Sequence, residues 1–204
     1  MTSDLFDPEL AALPAPPRRE RSIAAVLMIT TAVAASLMCW ALRREVAYAF
    51  ARPVPVDVGD LSSFRPDSSS ASTYIEAKAL LGTRGAIRYA RPLEGDSYRL
   101  HPVAGNDRIW VEVRVPEGME GPRFVPPTSF AGRLSPMKSA GIRHSGIASS
   151  VFRQTDVDIP SDAWILSDGA SPRASRWSVA LFGLFAFFAI WNVYSTVKIM
   201  RRVQ

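Results

Sequence analysis

The sequence predicts a membrane protein in which two transmembrane helices flank a small, mostly β extracytoplasmic domain, either an OB-like barrel or a small sandwich. Two uncharged apolar runs, residues 22–42 and 177–197, lie near the two ends of the 204-residue chain. A run of about 20 residues, rising ~1.5 Å each, spans a hydrocarbon core of about 30 Å. Between the runs, short alternating segments separated by turn sequences are typical of a small β-domain.

Basic residues flank the outer end of each apolar run and predict its orientation. They are Arg18, Arg19 and Arg21 before the first run, and Lys198, Arg201 and Arg202 after the second. Cytoplasmic flanks carry an excess of Lys and Arg. We therefore expect residues 1–21 and 198–204 to be cytoplasmic tails of a two-pass protein in the bacterial inner (plasma) membrane, with the middle domain periplasmic or extracellular.

The first run has an alternative interpretation as a cleaved signal peptide. Ala32-Val33-Ala34 supplies a small-residue cleavage site. The apolar run continues well past this site, whereas signal peptides have a shorter apolar core. An uncleaved span, residues 22–42, is the favoured interpretation.

The two spans carry complementary side chains for packing against each other. Small residues recur every fourth position of the first span, and bulky phenylalanines line the second. Small faces allow transmembrane helices to approach closely, and an amide inside a span gains from a polar partner. The predicted packing residues are Thr31, Ala35, Cys39, Phe182, Phe185 and Asn192; the alternative is that both faces contact lipid.

The middle of the chain divides into a juxtamembrane part, a β-domain and a linker. Residues 43–50 extend the first helix, which ends at the prolines of RPVPV, and a serine-rich loop completes residues 43–72. Residues 73–170 contain five or six short strands, of which RIWVEVRV alternates most clearly. Gly105-Asn106 marks a hairpin before it, and SAGIRHSGIASSVFRQ holds a short helix or an ordered loop. Residues 171–176 link the β-domain to the second span.

The topology and one run of strands resemble a known family. One amino-terminal span, an extracytoplasmic β-domain and one carboxy-terminal span, with SYRLHPV, RIWVEVRVP and FVPPTSFAGRL in that order, resemble the surfeit-locus family of cytochrome oxidase assembly factors. The similarity covers about 40 residues. Val113-Arg114-Val115 stands where the family has Asn-Arg-Gly, and the Trp-Gln pair after the first span is missing. The resemblance implies a role in assembling a respiratory oxidase.

Residue patterns for catalysis, cofactors and metals are scarce. Cys39 is the single cysteine, which excludes an intramolecular disulfide, a Cys-x-x-Cys pair and a four-cysteine zinc site. Ser135 and Lys138 match the Ser-x-x-Lys spacing of penicillin-binding enzymes, but the accompanying Lys-Thr-Gly motif is missing. His144 with Ser145 and Asp156 or Asp158 has no Gly-x-Ser-x-Gly elbow. We predict a protein that is not an enzyme and has no cofactor and no metal.

One collective surface feature indicates binding. Arg99, His101, Trp110 and Arg114 lie on two successive strands, and an exposed Trp among arginines is typical of an interaction patch. The alternative is a solvated sheet face with Trp110 covered by a loop. The net charge of +5 does not indicate nucleic-acid binding, because six basic residues flank the spans and the rest of the chain mixes both signs.

These observations lead to two functional hypotheses. The first is a non-enzymatic accessory subunit or assembly factor of an integral membrane complex, possible clients including a respiratory oxidase, with membrane lipid as a second partner. The second is a membrane-tethered extracytoplasmic binding module for a small molecule, a lipid or an envelope polymer. A polar barrel interior would favour the binding module, and an interior packed with aliphatic and aromatic side chains would favour a structural domain.

Overall fold

The computed structural model describes residues 18–91, 95–119, 124–140, 144 and 146–201. They belong to two compact units. The helical unit is built from residues 18–43 and 180–201, and the β unit is Arg44–Val179.

The helical unit contains the apolar parts of two long helices. Helix α1 is Arg18–Ala49, and helix α3, the last in the chain, is Trp177–Arg201. Both are long and apolar enough to cross a membrane. The extension of α1 beyond the apolar run agrees with the prediction, since the helix ends just before Arg52-Pro53.

A seam of partly and fully buried residues joins α1 to α3. Its members recur at intervals of three and four residues, the period of left-handed helix pairs. Ala32, Ala35, Asn192 and Thr196 are buried in this seam. The remaining faces of both helices expose large apolar side chains, as expected of helices surrounded by lipid or by other helices.

The β unit contains one seven-stranded mixed sheet. Its elements in chain order are β1 Val56–Asp60, β2 Thr73–Lys78, β3 Ile87–Ala90, β4 Ser97–Val103, β5 Asn106–Val115, β6 Ser129–Pro136, helix α2 Ile147–Thr155 and β7 Trp164–Asp168. The spatial order of the strands is β1-β2-β6-β7-β5-β4-β3. The β1–β2 and β5–β7 pairs are parallel, and the other four pairs are antiparallel.

Strand β5 follows the alternation predicted from its sequence. Ile109, Val111 and Val113 point to one face of the sheet, and Trp110 and Glu112 point to the other. We call these the inner and outer faces. The turn before β5 places Gly105 at a φ of 84°, a left-handed conformation that glycine adopts without strain. The predicted hairpin between β4 and β5 is therefore present.

The sheet differs from the prediction at its first edge. Residues 56–60 form β1, although we assigned residues 43–72 to a juxtamembrane segment and a loop. Prolines precede β1 and Gly59 interrupts it, which obscures a strand that has only five residues. Leu61, directly after β1, is fully buried in the core, so this segment belongs to the domain.

Apolar clusters cover both faces of the sheet. The inner-face cluster consists of aliphatic side chains and Phe130. The outer-face cluster includes Trp110 and is covered by Ile147 and Val151 of α2. The sheet also curls. Leu81, just beyond β2, forms a bridge with Val103 at the end of β4, although β6, β7 and β5 lie between these two strands in the sheet. This curvature encloses the inner cluster.

Candidate functional site

A polar cleft lies on the outer face of the β unit. It encloses about 230 Å³. Its lining residues come from β4 to β7, from the end of α1 and from the segments that follow β3, β6 and β7. The polar side chains that line it include Glu45, Arg91, Glu112, Arg133, Ser135, His144, Ser167 and Asp168. We call this site the polar cleft.

Sheet register creates the floor of the polar cleft. Glu112 on β5 is paired with Ser167 on β7, and Ser167 is paired with Arg133 on β6. Side chains of residues paired in this way point to the same face. Ser135 follows Arg133 by two residues and shares that face. Three adjacent strands therefore present four polar side chains side by side.

Glu112 is the buried centre of one half of the cleft. Only 3% of its side chain is exposed. Its Oε1 accepts hydrogen bonds from the Tyr89 hydroxyl and from Arg91 Nη2, the latter at 2.5 Å, and its Oε2 lies 3.2 Å from His144 Nε2. A buried carboxylate persists only when charged and hydrogen-bonded partners replace water. These three partners supply that replacement.

Opposing effects determine the protonation of this cluster. Burial alone would raise the pKa of Glu112, but the hydrogen bond and charge of His144, the charge of Arg91 and the Tyr89 hydrogen bond lower it to about 2. Burial and the neighbouring Glu112 raise the pKa of Tyr89. Burial lowers the pKa of Arg91, but the Glu112 charge outweighs that effect and raises it. Glu112 is therefore an anion and Tyr89 a neutral donor at pH 7.

The imidazole of His144 bridges two acceptors. Its Nδ1 lies 3.0 Å from the Ala140 carbonyl oxygen, and its Nε2 faces the Glu112 carboxylate, with Arg91 Nη2 3.5 Å away. A doubly protonated ring donates to both acceptors, whereas a hydrogen on Nδ1 alone would turn the Nε2 lone pair towards a carboxylate. Because both nitrogens are engaged, His144 is not placed as a general base for a serine in the cleft.

Arg133 is held rigidly on the opposite side of the cleft. Its Nη1 donates to both carboxylate oxygens of Glu45 at 2.8 Å, and its Nη2 donates to Ser72 Oγ at 3.2 Å. The guanidinium carbon lies 4.4 Å from the centre of the Tyr48 ring, a cation–π contact. The Tyr48 hydroxyl donates to the Ala170 carbonyl at 2.6 Å. Four contacts therefore orient one arginine side chain.

The polar cleft contains donors that the protein itself does not use. Arg133 Nε is buried and has no hydrogen-bond partner among the described residues. Within the same part of the chain, the hydroxyls of Ser135 and Ser167 also make no hydrogen bond, although Ser135 is only 7% exposed. Asp168, in contrast, accepts from the Ala131 amide, and burial raises its pKa.

The structure separates the residues of the suggested catalytic motifs. Ser135 lies in β6, whereas Lys138 is exposed in the 3-10 turn Met137–Ser139, so the two are not one turn apart on a helix. Asp156 ends α2 in a left-handed conformation. Ser145 lies outside the described residues. In the described ranges, no group of three or more His, Cys, Asp or Glu side chains is arranged to hold a metal ion.

The predicted interaction patch does not form as one surface. Trp110 is only 2% exposed and lies in the outer-face core, with its Nε1 donating to the Asp107 carbonyl. Arg99 and His101 are paired with Val113 and Val111 and so share the inner-face side of the sheet. Arg114 lies on the outer side and forms an ion pair with Asp96. Trp110 is therefore covered, which agrees with the alternative considered above and not with an exposed Trp among arginines. Residues of α2 contribute to that cover.

The predicted helix-packing residues lie along the seam between α1 and α3. Thr31 Oγ1 is 3.2 Å from Asn192 Oδ1, although its single hydrogen has an alternative acceptor in the Leu27 carbonyl at 3.0 Å. Cys39 Sγ lies 3.8 Å from the Phe182 carbonyl oxygen. Ala35 is 4% exposed, and Phe185 is partly buried. The structure therefore brings the small face of α1 against α3.

Sequence reasoning missed the polar cleft itself. Glu112 occupies a position of β5 that alternates with apolar residues, which is also the pattern of a solvent-exposed charge. Its partners Tyr89, Arg91 and His144 are 21 to 32 residues away along the chain. One signal was available. Glu112 lies two positions from Trp110 in the same strand and so shares a sheet face with a large apolar side chain, which indicates that this face is at least partly covered.

Comparisons with known proteins give no relative for this chain. No family model matches it, and neither the curated proteins nor the solved structures contain a match.

Proposed function

We propose that this protein is a non-enzymatic accessory subunit or assembly factor of an integral membrane complex. The observation that carries the proposal is the packed interior of the β unit, where the inner-face cluster consists of Leu61, Phe130, Leu134, Leu166 and other apolar side chains. A filled interior leaves no room for a ligand inside the sheet. The β unit then acts through its surface.

The helical unit supports the same proposal. Its seam includes polar contacts as well as small residues, and such contacts give helix pairs in lipid a defined register. The outer sides of α1 and α3 expose large apolar side chains within residues 22–42 and 177–197. We propose that these sides contact lipid and helices of the client complex, with both termini cytoplasmic and the β unit on the periplasmic or extracellular side.

The narrower form of the proposal concerns a respiratory oxidase. It rests on the resemblance to the surfeit-locus family described above, and the curled sheet is compatible with the OB-like barrel we expected. Deleting the gene should lower the amount of assembled haem-copper oxidase in the membrane. Unchanged oxidase levels would reject the oxidase as client and leave the broader proposal in place.

The broader proposal is tested by expressing paired variants in a strain that lacks the gene and measuring how much assembled complex is recovered. Ala35→Phe inserts a bulky ring at a position that is 4% exposed in the helix seam, whereas Ala34→Phe adds the same ring at an exposed position. We expect Ala35→Phe to reduce recovery of the assembled complex severalfold while membrane insertion persists, because insertion needs only apolar length. Ala34→Phe is the matched control. Equal complex recovery from both variants would show that α1 and α3 are a plain tether.

A second candidate function is a membrane-tethered binding module. The polar cleft favours it, since about 230 Å³ on the outer face is lined by hydroxyl and guanidinium donors. A soluble ligand that raises the melting temperature of the β unit would support this function. The cleft lies outside the packed interior, so the two candidate functions are compatible in one protein.

A further inference from the structure

We propose that the polar cleft binds a small oxyanion, a single carboxylate or phosphate group, between Arg133, Ser135 and Ser167. This inference extends the binding-module function, and it can fail without affecting the accessory role. It rests on the hydrogen-bond balance of the cleft, on the spacing of its donors and on its size.

The hydrogen-bond balance of the cleft favours a ligand that accepts. The three carboxylates already have partners in the protein: Glu112 accepts from Tyr89 and Arg91, Glu45 from Arg133, and Asp168 from Ala131. The donors are in surplus. Arg133 Nε and the Ser135 and Ser167 hydroxyls have no partner in the described part of the chain. Buried donors are normally satisfied, so the unpaired Nε of Arg133, beside two unused hydroxyls, indicates an acceptor that the described part of the protein does not supply.

Sheet geometry places the three donor residues at neighbouring positions on one face of the sheet. Arg133 and Ser167 are register partners on neighbouring strands, whose backbones are about 5 Å apart. Ser135 lies two residues beyond Arg133, about 7 Å along the same strand. The three side chains rise from the same face. A carboxylate or phosphate group has oxygens that accept from several such donors at once.

The arginine is preorganised for this role. Its Nη atoms are occupied by Glu45 and Ser72, and its plane lies against the Tyr48 ring. The buried Nε–H and the second Nη2 hydrogen have no partner among the described residues. Because the guanidinium is already fixed, binding an anion costs little additional side-chain entropy. The nearby carboxylates oppose a large negative charge, which favours a single oxyanion group over a polyanion.

The volume of the cleft limits the ligand. About 230 Å³ is smaller than the roughly 300–1,000 Å³ of pockets that hold drug-sized molecules. The oxyanion is therefore carried by a small solute, or it is the head of a larger molecule whose remainder lies outside the cleft.

Calorimetric titration of the full chain in phosphatidylcholine nanodiscs tests this inference. The probes are inorganic phosphate and acetate, each compared with sodium chloride at equal ionic strength. We expect saturable binding of at least one probe. Ser167→Ala and Ser135→Ala should each weaken it about tenfold or more, as expected for loss of a hydrogen bond to a charged group. Ser149→Ala, which removes an exposed hydroxyl from α2, is the matched control and should leave binding unchanged.

The outcomes are distinguishable. Absence of saturable binding in the wild-type chain, or equal binding by the Ser135→Ala/Ser167→Ala double variant with an unchanged melting temperature, would overturn the inference. Nanodiscs containing phosphatidylglycerol separate the two sources of a phosphate group. If phosphatidylglycerol weakens the binding of free phosphate, the lipid headgroup competes for the site and is the ligand. If phosphate binding is the same in both kinds of nanodisc, the ligand is a soluble oxyanion. Either result supports the oxyanion site.

Discussion

The lowered pKa of Glu112 makes the stability of the β unit sensitive to acid. Its pKa is lowered from an ordinary value of 4.5 to about 2 in the folded protein. A lowered carboxyl pKa contributes stability that is complete above the unfolded-state pKa and is lost as the pH falls through the folded-state value. At ~1.4 kcal/mol per pKa unit, the contribution at pH 7 is about 3 kcal/mol, of which about 2 kcal/mol is lost by pH 3.

The isosteric variant Glu112→Gln removes this charge without changing volume. We expect the wild-type chain to exceed the variant by about 3 kcal/mol in free energy of unfolding at pH 7, and by about 1 kcal/mol at pH 3. Urea unfolding in mild detergent, followed by the near-ultraviolet circular dichroism of the aromatic side chains, measures both values. Glu76→Gln removes an exposed strand carboxylate and is the control. A Glu112→Gln gap that is the same at both pH values would refute the charge network as its cause.

Two further predictions concern packing. Gly132→Ala should destabilise the β unit by about 3 kcal/mol or more, because an added Cβ would lie 2.1 Å from a backbone carbonyl oxygen of β7. Gly95→Ala is the control: its added Cβ meets only the flexible end of a glutamate side chain, so it should cost less than about 1 kcal/mol. Chemical denaturation compares the stabilities of the two variants. Asn192→Leu should weaken the helix seam by about 1 kcal/mol, seen as a lower disulfide yield between Cys39 and Phe182→Cys, and an unchanged yield would contradict a stabilising role for the amide.

Much of the β unit is predictable from local pattern. Strand β5 and its hairpin follow from alternation and a glycine turn, and residues 73–78, 87–90 and 164–168 form strands where the sequence indicates them. Strand β1 is not predictable in this way. Its five residues follow two prolines and contain Gly59, and it is recruited by parallel pairing with β2. Tertiary pairing, rather than local propensity, determines that edge.

The candidate site is less predictable because its residues meet only through sheet order. Sequence alternation places Trp110 and Glu112 on one face, but it does not reveal whether that face is solvated or covered. The parallel insertion of β7 between β5 and β6 brings Ser167 between Glu112 and Arg133. A β7 added at the sheet edge would leave the same residues far apart. The helix seam is easier, since small residues at every fourth position already mark one face of α1.

The most direct test of the proposed function is the size of the particle that contains this chain. Membranes solubilised in mild detergent are separated on a native gel, and the chain is detected together with any protein that co-migrates. The accessory-protein proposal predicts migration well above the 22.4 kDa of the chain, with at least one other integral membrane protein in the same band. Migration only as a free chain of that mass would contradict it.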